Sequence, residues 1–359
     1  MRKIFLLLVL LWCIVPACAS EIPREITDAI PDSARPFLED TDEADNFTSW
    51  NSGLSTLWTR TCKLLASTVQ ESLGGVILVM SAVLLCSVAE DCFHPLGDGK
   101  LLDPVPLVGT LVILLAVGSN MKNLMGLGEE TIRELNVFSK ALLPTLSAAT
   151  AAGGGAVSAS VRQVATVFFS DLLMSLIHGL LFPMVWVFVA LSAADAILPA
   201  GRLGGIARGL QKAVTWLLSG GLLLFTGYLS LSGAFATSAD GLALRMARSA
   251  IGTAIPVVGG IISDAADTIL AGAGVLRQSV GVAGTLTVLA ICVLPFLKLG
   301  IQYLLLKLAA FFAATVAPEP LVRLVASLST AFGLVLGMTG AAALLLLISV
   351  ASSVMMVSV

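Results

Sequence analysis

From Gly74 to Val359, apolar stretches of membrane-spanning length follow one another with only short polar interruptions. A bilayer core of about 30 Å needs roughly 20 apolar residues in each crossing helix. The composition agrees, because 57% of the residues are apolar, 12% are charged and the mean hydropathy is +0.98, far from the values of soluble domains. The sequence therefore predicts an all-α, polytopic helical membrane protein with about six to eight spans.

The N-terminus has the pattern of a secretory signal peptide. Positive charge in Met1–Lys3 precedes an apolar run, Ile4–Val15, and an A-x-A site ends at Ala19. This pattern predicts cleavage after residue 19 and an extracytoplasmic mature N-terminus. The alternatives are a lipoprotein signal with Cys18 as the lipidated residue, which Pro16 disfavours, and an uncleaved anchor helix, which the short apolar run disfavours.

The remaining chain divides into four regions by composition. Residues 20–72 form a polar, weakly amphipathic lead; residues 73–140 form two spans and a charged surface helix at 121–140; residues 141–248 and 249–359 form two membrane repeats.

A basic stretch anchors the predicted topology. Arg202, Arg208 and Lys212 lie in a segment without an acidic residue, so the positive-inside bias puts it in the cytoplasm. With the N-terminus outside, residues 141–198 must then cross the bilayer an odd number of times. They cross either three times, or once with a re-entrant loop.

Each predicted repeat opens with a segment that proline and glycine break. Pro144 and Pro256 are 112 residues apart (256 − 144), and Pro183 and Pro295, inside long apolar runs, have the same separation (295 − 183). In duplicated transporters, broken helices meet at mid-membrane and line a pathway. The candidate pathway or structural residues are therefore Gly153, Gly154, Gly155, Asp171, Pro183, Pro256, Gly259, Gly260, Asp264, Asp267 and Pro295.

The acidic residues of this set carry the functional argument. An ionisable group at membrane depth is costly and faces protein or water. Asp264 and Asp267 are three residues apart and share a helix face, and Asp171 and His178, seven apart, share one too. The alternative for Asp264 and Asp267 is that they cap a short interfacial helix.

Several classes of function lack their sequence patterns. The chain has no G-x-x-x-x-G-K-[ST] phosphate loop, no H-E-x-x-H and no G-x-S-x-G, so we expect neither enzyme activity nor a cofactor. Two histidines and six scattered cysteines predict no metal site and no disulfide framework. The net charge of −3 disfavours nucleic acid as a partner.

Five short motifs occur in a fixed order along the later part of the chain. They are Leu143-Pro144, Gly154-Gly155-Ala156-Val157-Ser158-Ala159, Asp240-Gly241 before Leu244-Arg245, Ile255-Pro256-Val257-Val258-Gly259-Gly260, and Ser263-Asp264-Ala265-Ala266-Asp267-Thr268. Together with the signal peptide and the polar lead, this order resembles the stage III sporulation protein AE family of endospore-forming bacteria.

The resemblance implies a protein of the mother-cell membrane that surrounds the engulfed forespore. Similar proteins work with other products of the stage III sporulation operon, namely an ATPase, ring-forming proteins and small membrane subunits, and indirectly with stage II sporulation protein Q. Together with the broken segments, which would line a path, this leads to the hypothesis of a permease-like or gate-like subunit of the channel complex between the two cells, embedded in membrane lipid. The alternatives are a structural platform for the ATPase and ring proteins, and an independent secondary transporter.

Overall fold

A computed structural model of the protein describes residues 29–35, 50–93, 104–198, 203–254 and 259–355, and every structural statement below concerns these residues. They form α-helices and one π turn, without a strand. The elements are α1 (Trp50–Phe93), α2 (Pro104–Ala152), α3 (Ala156–Leu176), the π turn (Ile177–Leu181), α4 (Phe182–Ile197), α5 (Gly204–Ala254), α6 (Gly259–Ala313) and α7 (Glu319–Met355).

Six helical segments are long and apolar enough to cross a membrane, which confirms the predicted all-α multi-pass membrane protein. One span each comes from α1, α2, α5, α6 and α7, and the sixth comes from α3, the π turn and α4 together. Every segment exceeds the roughly 20 residues that the bilayer core needs. At 1.5 Å per residue, the 51 residues of α5 measure about 76 Å, so the helices extend beyond the hydrocarbon.

The centre of the bundle is the antiparallel pair α6 and α7. Along this pair Gly281 lies beside Val354, Phe296 beside Gly340, and Tyr303 beside Gly333. The inward face of α7 is buried, and Phe332 and Val335 on it have no exposed surface. The other helices pack around this pair, so α6 and α7 supply most of the apolar core.

Glycine permits the closest helix approaches. A Cβ atom on Gly281 of α6 would lie 2.2 Å from Val354 Cγ2 of α7, and one on Gly128 of α2 would lie 2.6 Å from Val335 Cγ1. Small residues at such crossings are typical of membrane helix packing, because van der Waals contact replaces the hydrophobic effect in lipid. These two glycines therefore fix the distance of α7 from its neighbours.

The region from 104 to 152 differs from the expected span followed by a separate surface helix. It is one continuous helix, α2, which passes through the charged stretch 121–140 and through Pro144. The physical reason is that most charges of this stretch have partners: Glu129 pairs with His178, Glu130 with Arg133, Glu134 accepts a 2.6 Å hydrogen bond from Ser33, and Lys140 pairs with Asp171.

The two prolines of the long apolar runs have different surroundings. Pro183 lies in the first turn of α4, directly after the π turn, where its ring removes one N–H donor from the continuous helical run of α3, the π turn and α4. Pro295 lies inside α6, which continues from Gly259 to Ala313. The chain in the first predicted repeat thus changes helix type beside its proline, and the chain in the second does not.

Candidate functional site

The break between α2 and α3 is a glycine elbow, Gly153–Gly155. Gly154 has a φ of 88°, a left-handed conformation that glycine adopts without strain. The Gly154 N–H donates to Ala151 O at 3.0 Å and the Gly155 N–H donates to Thr150 O at 3.1 Å, which is the hydrogen-bond pattern of a Schellman motif. Within the first predicted broken segment, the structure thus has a tight turn at these three glycines.

An acidic side chain from α5 caps the helix that leaves the elbow. Gly155, at the N-cap position of α3, has no side chain to offer. Instead the Val157 N–H donates to Oδ1 of Asp240 at 2.9 Å, and Asp240 is buried. A carboxylate at a helix N-terminus satisfies a free donor and complements the helix dipole, so Asp240 holds α3 against α5.

The second predicted broken segment lies next to the elbow. A Cβ atom on Gly153 would lie 4.0 Å from the Cβ of Ala273 in α6, so α2, α3, α5 and α6 meet here. Gly259 and Gly260 are the first two residues of α6, and Pro256 lies outside the described residues. Asp264 and Asp267 lie on the first turns of α6, where the structure describes the backbone alone.

A row of polar contacts joins α2 to α3 and the π turn; we call it the polar seam. Its four rungs are Glu129 Oε1 to His178 Nδ1 (3.0 Å), Asn136 Oδ1 to Ser170 Oγ (3.3 Å), Lys140 Nζ to Asp171 Oδ1 (3.7 Å) and Ser147 Oγ to Gln163 Oε1 (2.9 Å). The predicted pair Asp171 and His178 therefore does share one face, and both residues have charged partners on α2.

The polar seam is as long as a bilayer core is thick. Glu129 and Ser147 are 18 residues apart on α2, which is about 27 Å along a helix axis. Behind the seam, the hydroxyls of Thr166 on α3 and Ser349 on α7 lie 2.6 Å apart and are buried. The seam thus leads from the level of Gly128 to the glycine elbow.

Two cavities adjoin the polar seam between α2, α3 and α7. One borders the Asn136–Ser170 rung and the other borders the Ser147–Gln163 rung, and each has a volume of about 10 Å³. That volume holds no more than one water molecule. Neither of these two cavities can therefore admit a larger solute in this conformation.

A second capping carboxylate lies at the opposite end of the bundle. Oδ1 of Asp195, at the end of α4, accepts hydrogen bonds from the Leu203 and Gly204 N–H groups at 2.9 and 2.8 Å. Its Oδ2 lies 4.0 Å from Nε of Arg323 on α7. Asp195 is buried and joins the α4–α5 connection to the start of α7.

Sequence reasoning missed Asp195 and Asp240 as site residues. Asp240 is part of one of the quoted motifs, and both are lone acids at the edge of long uncharged stretches. Their position at the edge of these stretches is the feature of the sequence that could have identified them. Their partners are backbone N–H groups of other helices, which no side-chain pattern reveals.

Comparison with known proteins decides the family. A family model described as "Stage III sporulation protein AE" matches residues 44–357, nearly the whole chain. The chain belongs to the stage III sporulation protein AE family. The resemblance inferred from the five motifs is thereby confirmed.

One curated member of this family gives the degree of similarity. "Stage III sporulation protein AE" of Bacillus subtilis (strain 168) is 27% identical over 250 residues, which are 70% of this chain and 62% of the relative. The alignment thus spans less than two thirds of the relative's length. No solved structure matches the chain.

The contribution of the Lys140–Asp171 contact to the free energy of unfolding can be measured. Lys140→Glu places two carboxylates together, and we expect it to lower the free energy of unfolding by about 0.5–1 kcal/mol, because both side chains are more than half exposed, 58% and 54%. Adding Asp171→Lys should restore the loss. The measurement is unfolding in mixed detergent micelles, with Lys122→Glu on the same helix as the control. Losses that simply add in the double variant would show that the two residues do not interact.

Proposed function

We propose that this protein is a non-catalytic, gate-like membrane subunit of the channel complex that links the mother cell to the forespore and supports forespore development. Its family membership supports the sporulation role. Its six spans support placement in a membrane. The finer parts of the proposal, the channel and the gate, rest on the polar seam and the glycine elbow.

The partners in this proposal are the other stage III sporulation proteins. They are the ATPase on the cytoplasmic face, the ring-forming proteins, the small membrane subunits and, indirectly, stage II sporulation protein Q. The protein lies in the mother-cell membrane around the forespore, with its N-terminal segment outside the cytoplasm after signal cleavage. In this orientation Arg208 and Lys212 face the cytoplasm, and the elbow faces the space between the two membranes.

The observation that carries the gate is the polar seam, because its four polar contacts are spread over about the length of a bilayer core and end at a four-helix junction. Polar and ionisable groups at membrane depth are costly and mark pathways. The seam is closed by its own rungs, so conduction requires α3 to move from α2. The elbow permits this movement, and the Asp240 cap on α3 limits it.

Removing the Asp240 carboxylate that caps α3 tests the gate. Asp240→Ala removes the acceptor of the Val157 N–H and should cost about 1 kcal/mol, whereas Asp240→Asn keeps an acceptor oxygen and serves as the matched control. We expect Asp240→Ala to raise dye leakage from liposomes that contain the purified protein and to reduce heat-resistant spores in the native host. Unchanged leakage and normal sporulation at normal protein levels would contradict the gate.

A structural platform remains the second candidate, and one observation favours it. Each of the two cavities along the seam holds a single water at most. This is expected if the four polar contacts only hold the helices together. A platform predicts that all seam and cap variants sporulate normally as long as the protein accumulates. It also predicts that loss of the protein releases the ATPase from the membrane fraction.

A further inference from the structure

Arg277 of α6 is buried where α6 meets the end of α7. The residue is 4% exposed and belongs to a segment that is long and apolar enough to cross a membrane. Its Nη2 donates a hydrogen bond to Val354 O at 3.1 Å, in the last turn of α7. Its Nε and Nη1 are buried and have no acceptor in the part of the chain that the structure describes. Two of the three guanidinium nitrogens therefore lack a hydrogen-bond partner.

The positive charge of Arg277 has no counter-charge within the described ranges. No carboxylate there forms an ion pair with it, whereas Arg323 lies beside the buried carboxylate of Asp195. Arg277 is also the one buried lysine, arginine or histidine among these residues. A guanidinium stays protonated in proteins, so this side chain cannot remove the cost of burial by losing its charge. An unpaired buried charge is strongly destabilising, so the site calls for an anion.

Close helix contacts limit the size of this anion. One turn before Arg277, Ala273 lies against the glycine elbow. One turn after it, a Cβ atom on Gly281 would lie 2.2 Å from Val354 Cγ2. The cavity beside Ser353, the residue that precedes Val354, has a volume of about 10 Å³, which holds one particle of the size of water. A halide ion is close to this size, whereas a phosphate or a carboxylic acid is larger.

We propose that Arg277 binds one chloride ion between α6 and the last turn of α7. The chloride accepts hydrogen bonds from the guanidinium donors that have no other acceptor, while Nη2 keeps its contact with Val354 O. The bound ion neutralises the buried charge and holds the two central helices together below the glycine elbow. This site does not depend on the proposed gate, because it requires neither conduction nor movement of α3.

Equilibrium binding of radioactive chloride to the purified full-length protein in detergent micelles tests the proposal. The wild type should bind one chloride per chain, which bromide displaces and the larger gluconate ion does not. Arg277→Met removes the charge and keeps a long apolar side chain, and it should weaken chloride binding at least about tenfold. The control is Arg208→Met, at an exposed arginine of α5 that donates to its own helix, which should bind chloride like the wild type.

A wild type that binds no chloride would overturn the proposal, because another group would then neutralise Arg277. Equal chloride binding by Arg277→Met and the wild type would overturn it as well, because the ion would then lie elsewhere.

Thermal unfolding separates an ion site from an arginine that only caps α7. The wild type should unfold about 2–4 °C higher in saturating chloride than in gluconate of the same low ionic strength. Arg277→Met should unfold at the same temperature in both salts. If Arg277 were only a helix cap, the wild type would also unfold at one temperature in both salts. That result would overturn the proposal even if Arg277→Met failed to fold.

Discussion

Replacing Gly281 by alanine will destabilise the bundle, although alanine is the better helix former. The new Cβ atom would lie 2.2 Å from Val354 Cγ2 and 3.9 Å from Val350 Cγ1, so the Val354 side chain or the two helices must shift. Overpacking of this kind costs about 1–3 kcal/mol. Because α6 and α7 form the centre of the protein, we expect a methyl group added here to lower the free energy of unfolding more than one added at any other position.

The matched control is Gly274, two turns earlier on α6. A Cβ atom there meets nothing within 4 Å, so Gly274→Ala should gain up to about 1 kcal/mol from helix propensity alone. The two variants add the same methyl group to one helix and should change the free energy of unfolding in opposite directions. The measurement is unfolding of the purified protein in mixed micelles. Equal effects would show that α6 and α7 do not approach each other at Gly281.

The second large effect is expected at Asp195. Asp195→Ala leaves the Leu203 and Gly204 N–H groups without their acceptor and removes the negative charge near Arg323. Loss of a helix cap alone costs up to about 2 kcal/mol. We expect a decrease of about 2 kcal/mol in the free energy of unfolding, and a smaller decrease for Asp195→Asn, which keeps an acceptor oxygen.

Glu319 provides the control for Asp195, because it pairs with the same arginine. Arg323 Nη1 lies 3.2 Å from Oε1 of Glu319, but Glu319 is 81% exposed. An exposed pair of this kind is worth well under 1 kcal/mol, so Glu319→Ala should change little. If Asp195→Ala were equally mild, the connection between α4 and α5 would not depend on the buried carboxylate.

The sequence predicted what depends on local composition. Runs of apolar residues predicted about six to eight spans, of which the described residues contain six, and three successive glycines predicted a broken segment where the elbow lies, at Gly153–Gly155. The seven-residue spacing of Asp171 and His178 was enough to place both on one helix face. These features follow from periodicity and backbone freedom, which are properties of neighbouring residues.

The unpredicted features depend on residues far apart in the chain. Asp240 is 83 residues from Val157, whose N–H donates a hydrogen bond to it. Arg323 and Asp195 come from different helices. The charged stretch of α2 was expected at the membrane surface because isolated charges avoid lipid. Its partners Ser33, Asp171 and His178 are visible only when the helices are packed together.

The internal repeat stays a prediction. The two glycine-rich segments do lie in the same part of the bundle, since Gly153 approaches Ala273. However, the π turn beside Pro183 has no counterpart at Pro295, which lies in regular helix.

The central claim is that a single span formed by α3, the π turn and α4 connects the elbow to the basic segment across a membrane. Cysteine accessibility tests it in intact vegetative cells that express the protein in their cell membrane, with single cysteines at Ala152 and at Arg208 in a background from which the natural cysteines have been removed. A membrane-impermeant maleimide should label Ala152→Cys from outside and should reach Arg208→Cys only after the cells are opened. Labelling of both positions from the same side, or recovery of the protein in the aqueous fraction, would contradict the account.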